Sequence, residues 1–422
     1  MEGKVQESKH ILVVGSSILS SKLREIHSSI RTSVICRSSE LPFLHRAQGN
    51  EAIIVVKDEA DISTWIEHAM NLHKTNPFDH ITSFEELDQD KASDIAKALN
   101  LPFHSSDTVL WAIDKYEMRK RLRDLEFDDI PAMLVHSAED IKRFANKYDY
   151  PLILKPSRGK SSTGITVIKS EGEIFEAFYT SENATAPRLD QSILMVEPLL
   201  IGQEFSVEVI SENGEHFIIG IVEKHVDEES KVEIGHVFPA EIPKNIEKEI
   251  YDYTLRFLDT LNISHGVTHT DIIYTKDGPK IIETHLCPAG DKVPELIKDS
   301  IGIDCIKYLV ELEAGVSIKD RIQKQLTKTI HNRKSSAIWY SYVNFDGILE
   351  TIQNKKEIQE MEGVTEFSQL ISDGIHVSKL RSSYSRIAFV RTINTHAEQA
   401  LSIAQAAIKD LAMFLSIRGQ PF

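Results

Sequence analysis

Apolar residues along this chain fall into short continuous runs and into stretches of helical or alternating spacing. His10–Gly15 (HILVVG) is a continuous run closed by glycine, the pattern of a buried parallel strand leading into a helix. Ser33–Cys36 and Glu51–Val56 repeat it. Ile62–Lys74 and Asp90–Leu99 carry apolar positions at helical spacing, the second stopped by Asn100, Leu101 and Pro102. This succession predicts a doubly wound α/β unit of about 100 residues. Gly15-Ser16-Ser17 follows the first strand without a Gly-x-Gly-x-x-Gly pattern, and reads as a plain strand-to-helix turn.

Further on, Asp107–Arg123 (DTVLWAIDKYEMRKRLR) predicts one helix whose cations crowd toward its C-terminal end, where they suit the helix dipole. In Pro151–Ile168 two β runs flank a small-residue loop, Ser157–Gly164. Glycine there permits close backbone approach, and exposed N–H groups can wrap phosphate oxygens. Lys155, ending the first run, adds a point charge. Leu194–Val209 reads as strand, break at Gly202-Gln203-Glu204, then an alternating strand, and Ile218–Lys224 as another strand. Val226–Val232 reads as solvated loop charge, and Ile246–Leu261 as an amphipathic helix.

Thr268–Pro294 holds the chemistry. Asp277-Gly278 marks a turn between the β-branched runs Asp271–Thr275 and Lys280–Thr284, which predicts a hairpin. Strand residues two apart share a face, so Glu283 and His285 point the same way, with Asp271 across from them. Two carboxylates and an imidazole converging there suit a Mg²⁺ ion that also holds nucleotide phosphates. Beyond, Glu295–Leu312 reads as helix and Lys319–Lys334 as a basic connector. Alternating strands begin at Ala337, and His396–Leu415 reads as a closing helix.

Composition narrows the class. The 422 residues suffice for two or three domains, and the net charge of −16, from 48 basic and 64 acidic residues, argues against a nucleic-acid surface. The three cysteines, Cys36, Cys287 and Cys305, have neither zinc nor disulfide spacing. With no apolar signal-type run in MEGKVQESKH and no membrane-length apolar stretch, a reducing cytoplasm is the expected setting.

The hairpin text THTD, ETH and PAGDKVPELI resembles the metal-binding end of the ATP-grasp superfamily, where an acid is followed by Glu-x-Asn-x-Arg or by Glu-x-His-x-Arg-Pro-x-Gly-Asp. The resemblance implies an ATP-grasp fold of α/β and α+β lobes: a doubly wound preATP domain over 1–105, a small lobe with the phosphate loop over 106–200, a large lobe with the metal site over 201–325, and a small β-rich domain over 326–422. It implies that Lys115 of Asp-Lys-x-x-Met-Arg and Lys155 contact the nucleotide phosphates, with Ser161, Ser162 and Gly164 in the loop. Backbone from Glu197 to Leu200 would face the adenine and Glu204 would hold the ribose hydroxyls. Asp271, Glu283 and His285 would bind Mg²⁺, with Mn²⁺ as the alternative ion. The phrase EIGHVFPA resembles the bacilysin-synthetase-type amino-acid ligases, which implies substrate contact by His236 and, beside it, Glu233.

The implied reaction is carboxylate phosphorylation by ATP and capture of the acylphosphate by an amine, with ADP and phosphate released and a dipeptide or amino-acid amide formed. Two alternatives stand beside it: loading of an amino acid onto a carrier-protein thiol, and nucleotide binding without turnover. The implied partners are small-molecule carboxylates and amines, with a homodimer or a carrier protein as further options and neither nucleic acid nor membrane. Cys287 departs from the pattern, standing where the family has arginine. A thiol cannot supply that cation, and beside phosphates and carboxylates its thiolate is disfavoured, so Cys287 is not read as a nucleophile. Lys292, Arg381 and Arg386 are the candidates to replace the charge.

Overall fold

The computed structural model describes residues 9–417 apart from 16–17, 27, 85, 186–191 and 330–332; the Ser16-Ser17 pair lies outside the described residues. The N-terminal unit is a four-stranded parallel sheet in the order Ala52–Val56, Arg31–Arg37, His10–Val14, His80–Ser83. Both its faces are buried, which explains the unbroken apolar runs. Leu12, Val14 and Ile35 pack with Trp65, Ala69 and Ile95 of two helices on one face. Ile11, Val13 and Val34 face the other way, against Leu19 and Leu23 and against Val310 of the distant helix Cys305–Glu313.

A second sheet is antiparallel, in the order Met133–Val135, Leu194–Pro198, Leu152–Pro156, Thr166–Ile168. The third and largest has eight strands. It starts at the hairpin strand Gly278–His285 and continues through Gly266–Thr275, Gly202–Glu212, Glu215–Val226 and Glu233–Phe238 into Ser335–Ser341, Ala388–Asn394 and Val364–Gln369. Gly235 pairs with Trp339 and Phe238 with Ser336, so one sheet runs through both the large lobe and the C-terminal segment. Gly202 is required where the sheet tightens, since a Cβ there would meet the Tyr274 carbonyl oxygen at 2.1 Å.

Four expected elements differ. The helix expected over 107–123 is two helices, Ser106–Ile113 and Lys115–Asp124, because Asp114 is extended and caps the second with its carboxylate on the Tyr116 and Glu117 N–H groups. The helix expected over 295–312 is Val293–Ile301 and Cys305–Glu313, interrupted at Gly302, whose φ of +71° ends the first in left-handed backbone. The basic connector contains the helix Lys319–Thr329, whose fully buried Ile322 joins the core under the large sheet while its cations stay in water. The last helix ends at Lys409, and Met413–Ser416 becomes a strand pairing with Gly347–Ile352 in a small third antiparallel unit.

Candidate active site

The hairpin forms from strands Gly266–Thr275 and Gly278–His285, and its register sets Asp271 directly opposite Glu283 and His269 opposite His285. All four side chains line one cavity of about 220 Å³ together with Glu86, Glu233, His236, Asp291, Cys287 and the loop residues Lys160, Ser161 and Ser162. The strand-period expectation that Glu283 and His285 share a side holds: His285 Nε2 lies 3.6 Å from Glu283 Oε1.

Each hairpin carboxylate is engaged by a buried lysine. Lys115, at the start of its helix, places Nζ 2.6 Å from Glu283 Oε2 and 3.3 Å from the Gly159 carbonyl, tying the phosphate loop to the hairpin. Lys224 Nζ lies 2.6 Å from Asp271 Oδ2, 2.5 Å from Glu233 Oε1 and 3.4 Å from Glu204 Oε1. Burial alone would raise Asp271 and Glu283; Lys224 and His269 pull the first down, and Lys115 and His285 hold the second well below the usual carboxylate range. Glu204 moves the other way, pushed to about 7 by burial that its more distant lysine does not offset.

Lys155 sits among the small-lobe strands at 3 % exposure with Nζ 2.6 Å from Glu197 Oε1. The Glu197 side chain also accepts from Arg119 Nε at 2.9 Å. Burial pushes Glu197 up, but two cations bring it down to about 2, whereas burial lowers Lys155, which has only a shared carboxylate. One anion between two cations leaves a surplus positive charge in a dry site, the electrostatic condition for taking a phosphate. The carboxylate of Glu197 therefore faces the lysine, and Leu200 follows half-buried in the loop after the strand. In the phosphate loop Ser161, Ser162 and Gly164 have φ of +60°, +55° and +76°, left-handed backbone that serine adopts at a cost. The Ser161 carbonyl accepts from the Ser383 N–H at 3.0 Å, so the C-terminal segment holds the loop tip.

At the far wall His236 Nε2 lies 3.1 Å from Asp291 Oδ2 and 3.6 Å from Glu233 Oε2. Arg386 grips the same Asp291 with two hydrogen bonds of 2.6 Å and stacks 3.8 Å over the Tyr340 ring. Of the cations proposed to stand in for the absent arginine, Arg386 is the one brought to this wall, 6 % exposed. Lys292 instead pairs with Glu295 and Glu366.

Metal fit can be tested on the donors present. Asp271 Oδ1 is buried without an aligned hydrogen-bond partner, although His269 Nε2 stands 3.2 Å away, and an orphaned carboxylate oxygen facing acids and imidazoles suits a cation. Asp271, Glu283 and His285 do not meet as one compact ligand group. The three-residue groups whose ligand atoms all lie within 4.8 Å of one another are Glu204–Glu233–Asp271 and Glu233–His236–Asp291 among the described residues. The first surrounds Lys224 Nζ, and the second carries Arg386.

Several site residues escaped the sequence reading. Lys224 occupies an inward position of an alternating strand, and a lysine there was the available signal. His269 lies two residues before Asp271 and shares its face by the same period that identified His285. Arg119 closes the same Asp-Lys-x-x-Met-Arg phrase that singled out Lys115, which was its signal, whereas Glu86, on a short turn after the fourth N-terminal strand, carries none.

Residues 148–295 match the ATP-grasp domain family, and residues 339–415 match the L-amino acid ligase C-terminal domain 2. The chain is 22 % identical over 370 residues to an L-arginine-specific L-amino acid ligase of Bacillus subtilis, covering 86 % of each. It is 29 % identical over 216 residues to a D-alanine–D-alanine ligase of Wolbachia pipientis, covering 47 % of this chain and 65 % of that protein. The crystal structure of an L-amino acid ligase from Bacillus licheniformis superposes with a TM-score of 0.79 at 18 % identity, over 97 % of this chain and 99 % of that one. The biotin carboxylase domain of Hydrogenobacter thermophilus 2-oxoglutarate carboxylase, solved with MgADP, superposes at 0.66 with 14 % identity, over 98 % of this chain and 92 % of that one. Residues 148–295 thus carry an ATP-grasp domain and residues 339–415 the C-terminal domain 2 of the L-amino acid ligases, the two joined by one shared sheet.

Proposed function

We propose that the protein is an ATP-dependent carboxylate–amine ligase that phosphorylates the carboxylate of an amino acid and joins it to the amine of a second, releasing ADP and phosphate. The observation that carries this reading is the convergence of the phosphate-loop residues Lys160, Ser161 and Ser162 with Asp271 and Glu283 on one cavity, with Lys115 on Glu283 at 2.6 Å. Lys155, with its surplus charge, and Lys115 bind the phosphates. Glu204, beside Lys224, binds the ribose hydroxyls, and the backbone from Glu197 to Leu200 meets the adenine. Asp271 and Glu283, opposed across the hairpin, are the carboxylates offered to Mg²⁺, with Glu204 and Glu233 rather than His285 completing the compact acid group at Asp271; when bound the ion would neutralise the phosphates during transfer. His236, with Glu233 at its side, contacts the amino-acid substrate, and the small side chains of Cys287, Ala289 and Gly290 leave room for it. The loop Ser157–Gly164, its tip on Ser383, excludes water from the acylphosphate. The four-part division at 105, 200 and 325 remains our proposal for the domains. The three cysteines form no disulfide and no helix among the described residues is long and apolar enough to cross a membrane, in keeping with a place in the cytoplasm.

A matrix of paired amino acids, assayed for phosphate release, tests the reading. Release that needs both a carboxylate and an amine is expected. Release indifferent to the amine, or none with any pair, contradicts it.

A further inference from the structure

The parallel sheet of the N-terminal unit ends on Ala52–Val56 (AIIVV), and among the described residues no strand pairs with the outer side of that strand. Within its five residues there is no charge, no proline and no bulge, the devices by which sheet edges are kept from joining. Val55 is 42 % exposed, and Ile53 and Ile54 are half-buried. The other edges are guarded. His80–Ser83 sets His80 on Glu313 at 2.8 Å, Gly278–His285 begins Gly-Pro-Lys, and Val364–Gln369 holds Glu366. The edges of the two smaller antiparallel sheets are strands of four residues or fewer.

The hydrogen bonds of the sheet fix which groups this edge offers. The Arg31 N–H donates to the Lys9 carbonyl and the Gly15 N–H to the Ile35 carbonyl, so the odd residues of Arg31–Arg37 turn their backbone toward His10–Val14. The even residues Val34 and Cys36 therefore turn toward Ala52–Val56. In a parallel pair, the residue opposite such a position points its own groups away. The residues opposite are Ile53 and Val55, whose N–H and C=O groups thus line the free edge. Glu51 and Lys57 bound the strand, both exposed and without an ion pair among the described residues.

This edge is complementary to itself. In an isologous contact residue i meets j and j meets i. With a two-fold axis at Ile54, Ile53 lies opposite Val55 of the second copy, outward groups facing outward groups, and each such pair exchanges both its hydrogen bonds. The same register sets Glu51 opposite Lys57 of the second copy at both ends, opposite charges across the pair. We propose that Ala52–Val56 is an interface between two copies of this chain, which pair these strands antiparallel and join their four-stranded sheets into one. A foreign strand would have to supply a cation for Glu51 and an anion for Lys57 at this spacing, which the chain's own strand already does. The two-fold closes the contact at two copies and consumes the edge. The inference is independent of the proposed reaction.

Sedimentation velocity of the full chain over a concentration series tests it. Particles of two 47.7 kDa chains are expected, with dissociation on the order of micromolar because a five-residue strand pair is a small interface. Val55→Lys places a charge on the edge and is expected to leave monomer at about 100 µM with unchanged circular dichroism. Lys57→Glu sets like charges at both ends and weakens association by about 5–30-fold, and adding Glu51→Lys restores it. Both charge changes lie at exposed positions, so the reversal reads register and not folding. A wild-type chain that stays monomeric up to about 200 µM overturns the inference. So does a dimer indifferent to Val55→Lys, or a charge-reversed double variant that associates no better than Lys57→Glu.

Discussion

Lys115 Nζ stands 2.6 Å from Glu283 Oε2, joining the first residue of a small-lobe helix to the last strand of the hairpin. Glu283 is thereby shared between a cation of the protein and any ion that the hairpin binds. Glu283→Gln is expected to lower turnover by at least about 100-fold, the scale of removing one preorganised electrostatic contact to a transferring group. Its circular dichroism should match wild type. ADP formation within a few fold of wild type removes this residue from the site.

Lys155 holds the surplus positive charge of its cluster with Glu197 and Arg119. Lys155→Ala is expected to weaken ATP binding by about 1.5–3 kcal/mol, the size of a hydrogen bond to a charged group. Nucleotide titration calorimetry reads this directly, and unchanged affinity counts against the loop and its lysine as the phosphate site.

The same cluster gives a pH signature. The carboxylate of Glu197, lowered from 4.5 to about 2, contributes stability that is fully present above pH 4.5 and is lost as pH falls through about 2. Glu197→Gln removes that dependence and leaves Arg119 and Lys155 buried side by side, at a cost of about 3–5 kcal/mol. Denaturant unfolding at pH 7 and at stepped acid pH checks both, and a variant as stable as wild type at pH 7 contradicts the arrangement.

Cys287 lines the cavity, but the buried cation at that wall is Arg386, held on Asp291. Cys287→Ala is expected to keep its ATP affinity and most of any ligase turnover. Arg386→Ala, which leaves Asp291 without its cation, is expected to lose at least about tenfold in turnover, with recovery in Arg386→Ala/Asp291→Asn. Loss of ligation in the thiol variant with nucleotide binding preserved points instead to a covalent role for sulfur.

The hairpin was legible because one period sets both its hydrogen bonding and its chemistry: Glu283 and His285 two apart, Asp271 across. The parallel sheet was legible because burial on both faces leaves unbroken apolar runs. What escaped depends on partners far along the chain. Glu86 reaches His285 from a turn about 200 residues earlier. Glu197 looks like any strand glutamate until Arg119 and Lys155 meet it. Arg386 was one of three cations named for the missing charge, and its burial against Asp291 and Tyr340, which sets it apart from Lys292 and Arg381, is visible only in the fold. The helix breaks at Asp114 and Gly302 were open to capping arguments, whereas the strand Met413–Ser416 exists only because Gly347–Ile352 accepts it.

Acylphosphate formation leaves an atomic trace. When a carboxylate oxygen attacks the γ-phosphorus of ATP and the amine then displaces that phosphate, the carboxylate oxygen departs with phosphorus. Turnover of an ¹⁸O-carboxylate amino acid with an amine partner should therefore yield ADP and inorganic phosphate carrying one ¹⁸O, read by mass spectrometry or by the isotope shift in ³¹P resonance. Unlabelled phosphate beside a formed amide, or label recovered in AMP with pyrophosphate released, contradicts the account.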